Sequence, residues 1–341
     1  GDYDNPPAEA EQGSQDSGKE AYGDKSQKEK GFHARPCVSA YYPFSGKAVG
    51  KGLNGKRPWD AVTVLLVRYS EIGLKSPPIR RAFENTLRDN MLDMLAADGV
   101  EALVRFSDSR FYIEANDMRA CVASVTKVFG VASVSTSVAC GSGMEEILAA
   151  AAEYSRGKIP RSGSFAVRAR REGSHPYNSM ELAKEAGSSI FNANPGVSVD
   201  LSNPGTTFYI EVRDNRAHVF HEYIPGPGGL PMGTQGRVAA LPGGRAPEIS
   251  AWLMMKRGCR VVLIGEGWGE SLSAYNPRLR RSEEIPGNVL GLVSGESLDG
   301  VSKSFSDYPV PIFFPTVGMT DGELEKISVA MSKADFGQTW Y

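Results

Sequence analysis

The segment Phe165–Arg171 alternates in residue type. Phe165, Val167 and Ala169 fall on one side of an extended chain and Arg168 and Arg170 on the other, because successive side chains of a strand point to opposite faces. Arg161, Arg171 and His175 lie close by in sequence and add to the positive charge. A guanidinium group presents a planar fork of N–H donors that matches phosphate oxygens, and RNA stems are held largely through phosphates and 2′-hydroxyls. The chemistry these residues could do is therefore contact with a phosphate backbone. On the residues alone a solvated strand face is the plainer reading, with phosphate contact as the alternative. Lys75, Arg80 and Arg81, where Pro77-Pro78 opens a helix, form a second basic group with the same two readings.

A different signal lies further along. A strand at Arg237–Leu241 runs into Gly243-Gly244, a helix follows at Pro247–Arg257, and a strand returns at Arg260–Ile264. Strand, glycine turn, helix and strand in this order open an α/β layer with a parallel sheet. The cluster Gly265-Glu266-Gly267-Trp268-Gly269 has no apolar helix after it and reads as a loop. Cys37, Cys121, Cys140 and Cys259 are widely spaced and include no C-x-x-C pair. Neither a zinc site nor a disulfide framework is expected, and a reducing cytoplasm is the simpler setting. Cys259 reads as a buried core thiol, and Cys121 and Cys140 as structural rather than reactive.

The elements that position these residues follow from periodicity. Residues 1–37 contain no Val, Ile, Leu or Met, too little apolar surface to offset the entropy of ordering. A disordered or loosely ordered tail is expected over 1–57. Ala61–Tyr69 reads as a buried strand. Ile79, Phe83, Leu87, Met91 and Leu95 recur every four residues in the next helix, and Gly99 stops it. Strands at Val100–Phe106 and Phe111–Ala115, a helix at Met118–Val128 and a strand at Val131–Val138 complete a β-α-β-β-α-β series, the ferredoxin-like arrangement. A helix around Met144–Ala151, the basic strand, a helix at Met180–Phe191 and strands at Thr206–Val212 and Ala217–Tyr223 follow. Pro225–Gly236 is too rich in Gly and Pro for regular structure and reads as a linker or ligand loop.

The 341 residues suffice for two or three compact units. Contents of 41% hydrophobic and 23% charged residues are ordinary for a soluble globular chain. A net charge of −2 argues against a uniformly basic nucleic-acid coat, but not against a local basic patch. No apolar run approaches the roughly 18–20 residues that span a bilayer, and the N-terminus lacks the pattern of a secretory signal.

Several stretches, in order, resemble the tRNA 4-thiouridine synthase (tRNA sulfurtransferase) family. RYSEIGLKSPPIRRAFENTLRDNM (68–91) resembles its opening strand and helix, and KVFGVASVS (127–135) the junction into its THUMP domain, an RNA-binding module. FAVRARREGSHPYNSMELAKEAGSSI (165–190) and VDLSNPGTTFYIEVRDNRAHVF (199–220) resemble the body of that module. GPGGLPMGTQGRVAAL (226–241) and AWLMMKRG (251–258) resemble the flanks of the pyrophosphate-binding loop, and GESLDG (295–300) a second nucleotide-site motif. The implied fold is an α+β pair, with a ferredoxin-like domain at 58–118 and a THUMP domain at 119–224. A linker at 225–236 and a shortened α/β parallel-sheet PP-loop-like domain at 237–341 follow.

The resemblance implies tRNA as partner, contacted by Arg161, Arg168, Arg170, Arg171, His175, Lys75, Arg80 and Arg81. It also implies ATP with Mg²⁺ at Gly243, Gly244, Arg245, Gly295 and Glu296, a sulfur-carrier protein, and a homodimer. Family members adenylate uridine 8 of tRNA and exchange its oxygen for sulfur. Their loop reads Ser-Gly-Gly-x-Asp-Ser, whose N–H groups cradle pyrophosphate. Here it reads Pro242-Gly243-Gly244-Arg245-Ala246-Pro247 and then Glu248. Two hydroxyls, an aspartate and two N–H donors are gone, and a carboxylate is added. The family's helix-containing segment is shortened here between Ile264 and Gly287. Its essential cysteine, expected beyond Ala334–Thr339, does not occur before Tyr341. The expectation is a tRNA-binding protein with an impaired ATP and sulfur-transfer site. The alternative is an active ATP-dependent sulfurtransferase that makes 4-thiouridine with an external sulfur carrier, and a nucleotide-sensing role is a third.

Overall fold

The computed structural model describes residues 62–298, 308 and 310–337. The tail at 1–57, Cys37, Asp299, Gly300, Gln338 and Thr339 lie outside the described residues.

The first unit follows the expected series: β1 (Val62–Arg68), α1 (Pro77–Ala97), β2 (Ala102–Ser107), β3 (Arg110–Ala115), α2 (Met118–Val125) and β4 (Ser133–Gly141). Proline at the start of α1 costs nothing, since the first-turn N–H groups have no intrahelical partner. The β2–β3 hairpin closes through Asp108 and Ser109, both with positive φ (49° and 58°), the geometry a two-residue turn needs. Asp117 caps α2 by accepting from the Ala120 N–H at 3.0 Å. This helix ends at Val125, short of the expected Val128. The chain turns there, so that Val128 joins the first core and Phe129 leaves it for another.

The second unit adds α3 (Met144–Ser155), β5 (Ser164–Glu172), α4 (Ser179–Ala193), β6 (Ser198–Val199), β7 (Thr206–Arg213), β8 (Arg216–Phe220) and β9 (Ile224–Pro225). Its strands continue the first sheet in the order β2-β3-β1-β4-β8-β7-β5-β6, with β9 paired to β4. β4 serves both halves, since Val134 packs beneath α1 and α2 while Cys140 packs against the core under α3 and α4. All four helices cover one face of this sheet. The other face is concave. Tyr112 of β3 and His218 of β8 are separated in the sheet by β1 and β4, yet their rings stack 5.0 Å apart.

The third unit comprises β10 (Arg237–Ala240), α5 (Arg245–Lys256), β11 (Arg260–Ile264), β12 (Arg280–Ser282), β13 (Leu292–Val293), β14 (Ile312–Phe313) and α6 (Asp321–Lys333). The five strands are all parallel, in the order β12-β11-β10-β13-β14. Trp252 of α5 is fully buried, with Phe129 edge-on at 5.4 Å and Phe336 stacked at 5.9 Å. The segment before β10 is not loose. Gly226, Pro227, Gly228 and Gly229 are buried, and Gly228 both donates to Val131 and accepts from Gly130. Gly229 (φ 73°) lies so close to Lys256 that a Cβ would stand 2.1 Å from its carbonyl oxygen. Among the described residues no helix is long and apolar enough to cross a membrane.

Candidate functional site

The concave face collects arginines. Alternation along β1, β3, β8 and β7 sends Leu65, Phe111, Ala217 and Ile210 under the helices. Arg68, Arg110, His218 and Glu211 therefore face the hollow. Arg68 is the hub. It donates to Ser135 Oγ at 2.9 Å and Glu211 Oε1 at 3.1 Å, and lies over the rings of Phe220 (4.8 Å) and Tyr223 (4.5 Å). Arg213 joins Glu172 at 2.6 Å and the Asp108 carbonyl at 3.2 Å, and Arg105 joins Glu114 at 2.9 Å. Burial lowers the affinity of Arg110 and Arg216 for their protons.

His218 sits among these cations. Burial first, then Arg216, Arg213 and Arg68, push its pKa down to about 3. The folded protein keeps this imidazole neutral, while the unfolded chain takes a proton below the ordinary value of 6.5. Stability is therefore lost as pH falls through the window between 6.5 and about 3, at up to about 1.4 kcal/mol per pH unit. In a His218→Asn variant, urea unfolding at pH 7 and pH 5 is expected to show a stability difference smaller than wild type by about 1–2 kcal/mol. Equal pH responses would mean that native His218 takes up its proton near the ordinary value.

Arg168 and Arg170 are exposed on the helix-free side of β5, opposite Tyr209 and Glu211 of β7. Arg170 also lowers the Tyr223 pKa through its charge, so it stands near that ring. Tyr223 remains 44% exposed and packs edge-on to Tyr209 at 4.9 Å. Neither Arg168 nor Arg170 forms an ion pair among the described residues. Arg171 falls on the opposite side of the strand by alternation and donates to the Gly173 carbonyl at 2.7 Å. His175 reaches the Asp214 carbonyl at 2.5 Å, and Arg161 is exposed in the turn before β5. Arg80 donates to the Gly73 and Lys75 carbonyls at 2.8 and 3.1 Å, pinning the turn before α1, whereas Arg81 is exposed and Lys75 half-buried. The sequence pattern thus brings Arg168 and Arg170 together, but not Arg171. The aromatic pair Tyr209 and Tyr223 and the buried hub at Arg68 escaped it, though alternation in TTFYIEVR was a signal for Tyr209.

The glycine turn after β10 forms as expected. Gly244 caps α5, whose first three residues are Arg245, Ala246 and Pro247, so the helix begins two residues earlier than expected. Neither Gly243 nor Gly244 has positive φ. Gly243 is required by contact instead, since a Cβ there would stand 2.6 Å from Pro247 Cγ. Gly295 is pressed onto the same helix start. Its Cβ would lie 2.2 Å from Pro247 N and 2.4 Å from the Ala246 carbonyl carbon. Gly295→Ala is therefore expected to destabilise the fold by about 1–3 kcal/mol in urea unfolding; a change near zero would mean that this loop moves freely off α5. The side chains of the turn are engaged elsewhere: Arg245 pairs with Glu325 of α6 at 2.7 Å, and Glu248 accepts from Ser271 at 2.5 Å. Burial raises the pKa of Cys259 and pushes those of Cys121 and Cys140 up to about 12. All three thiols are protonated at neutral pH, as structural cysteines would be.

Residues 64–135 match the family model of the ThiI ferredoxin-like domain, and residues 142–222 that of the THUMP domain. The chain carries both domains. A probable tRNA sulfurtransferase of Methanothermobacter thermautotrophicus is 39% identical over 207 residues, covering 59% of this chain and 52% of the relative. One from Saccharolobus solfataricus is 35% identical over 216 residues, covering 61% and 55%. The chain spans about half the length of the curated relatives it matches. A crystal structure of a Pyrococcus horikoshii protein aligns at 25% identity with a TM-score of 0.70, over 80% of this chain and 100% of that one. That of a 4-thiouridine synthetase–RNA complex with bound ATP aligns at 23% identity with a TM-score of 0.66, over 81% and 87%. The resemblance read from the sequence is borne out, and so is its fold: ferredoxin-like and THUMP domains followed by a parallel-sheet α/β domain.

Proposed function

We propose that the chain binds tRNA through the helix-free side of the THUMP strands, led by Arg168 and Arg170, and that its glycine turn is impaired in ATP-dependent chemistry. The observation that carries the first half is two exposed guanidiniums without ion-pair partners among the described residues, on the face that also holds the half-exposed Tyr223. Guanidinium forks suit backbone phosphates, and an aromatic edge beside them suits a sugar or an unstacked base. The names of the relatives point to the same polymer.

For the second half, ATP with Mg²⁺ would have to sit at Gly243, Gly244, Arg245, Gly295 and Glu296. Bound ATP would supply the activating group for a uridine oxygen. The residues fit it poorly: Pro247 offers no N–H, Gly295 packs against the start of α5, Arg245 is paired to Glu325 and Glu248 adds like charge. A second reading, an active ATP-dependent sulfurtransferase served by a sulfur-carrier protein, draws on the retained strand–Gly-Gly–helix geometry.

The test is the salt dependence of tRNA binding. Arg168→Gln/Arg170→Gln is expected to reduce the slope of log K against log salt by about 1.4–1.8, since each phosphate contact contributes about 0.7–0.9. Unchanged slope and affinity in a folded variant would remove the proposed interface.

A further inference from the structure

A second group of arginines stands at the opposite end of the parallel sheet from the glycine turn. Arg237 opens β10, Arg260 opens β11 and Arg280 opens β12, on three adjacent strands, with Arg278 two residues before β12. Arg237 and Arg260 are direct register partners. These four side chains, with Asn90 and Asp93 of α1, line a cavity of about 180 Å³ between the ferredoxin-like domain and the sheet.

Four guanidiniums here meet one carboxylate. Arg278 pairs with Asp93 at 2.5 Å, and Arg237 donates to Asn288 Oδ1 at 3.0 Å. Arg260 lies across Gly233, where a Cβ would stand 2.9 Å from its Nε, so the glycine leaves the arginine its place. Arg260 and Arg280 are exposed, and neither forms an ion pair among the described residues.

Like charges directly opposite on paired strands destabilise a sheet, and Arg237 and Arg260 stand opposite each other with no ion pair to either among the described residues. A bound anion would offset that cost. The cavity is smaller than the roughly 300–1,000 Å³ of small-molecule pockets, so it accommodates phosphate groups rather than a whole nucleotide. We propose that this cleft is a second phosphate-binding site, taking phosphodiester groups of the RNA whose THUMP contacts were proposed above. It rests on that reading for the identity of its ligand.

The experiment uses the full chain and tRNA. Arg260→Gln/Arg280→Gln, with an unchanged thermal midpoint, is expected to lower the salt slope of tRNA binding by about 1.5–2. If the double variant fails to fold, Arg280→Gln alone is expected to lower it by about 1. An unchanged slope in a folded variant overturns the cleft. If Arg168→Gln/Arg170→Gln lowers the slope and the cleft variant does not, the THUMP interface stands and only the cleft falls. If the wild-type chain binds no tRNA, both fall.

Discussion

Replacing Arg68 with alanine is expected to destabilise the protein by about 3–5 kcal/mol, the usual cost of stranding one member of a buried ion pair. The Arg68 and Glu211 side chains are only 10% and 11% exposed, and Glu211 would keep a buried carboxylate without its direct ion-pair partner, with Arg110 left as a neighbouring charge. The variant also loses the cation–π contacts to Phe220 and Tyr223. Arg68 belongs to the ferredoxin-like domain and Glu211 to the THUMP domain, so the loss falls where the two halves of the sheet close on each other. Urea unfolding measures it, and a cost below about 1 kcal/mol would show that water reaches the pair. Arg68→Met/Glu211→Leu is expected to recover much of the loss, because replacing both charges with apolar groups removes the stranded ion.

The second large effect concerns Phe129. It follows α2 in sequence yet is buried in the core of the α/β domain, 5.4 Å from Trp252 and 5.7 Å from Tyr275. Phe129→Ala is expected to cost about 3–5 kcal/mol through lost burial and the cavity left behind. Since this ring pins one domain to another, thermal unfolding is expected to separate into two transitions. A single transition shifted by less than 1 °C would show that the core collapses around the gap.

Much of the fold was legible because its signals are local. The four-residue spacing in α1, the alternation in β5 and the glycine pair after β10 each specify an element from a short window, and the elements lie within a few residues of their expected positions. What was not legible depends on contacts between distant residues. Arg68 and Glu211 lie 143 residues apart, and only the coiling of the sheet brings them together. The placement of Phe129 depends on a turn that ends α2 early, and the arginine row at the strand starts becomes visible only once β12, β11 and β10 are known to be neighbours. Arg171 and Arg80 carry a second role that charge clustering does not reveal: each donates to a backbone carbonyl that stabilises a local turn. Gly295 was placed at the nucleotide site by its motif; the geometry adds that it is pressed against Ala246 and Pro247.

RNA binding and a weakened nucleotide loop can be tested together in one measurement. Pyrophosphate release from ATP and Mg²⁺ is followed with the protein saturated by tRNA, saturation being verified in the same mixture by filter retention. Retained tRNA and no tRNA-dependent pyrophosphate are expected. Multiple turnovers of tRNA-dependent pyrophosphate release would contradict a weakened loop and establish the Gly243-Gly244 turn as a working adenylation site.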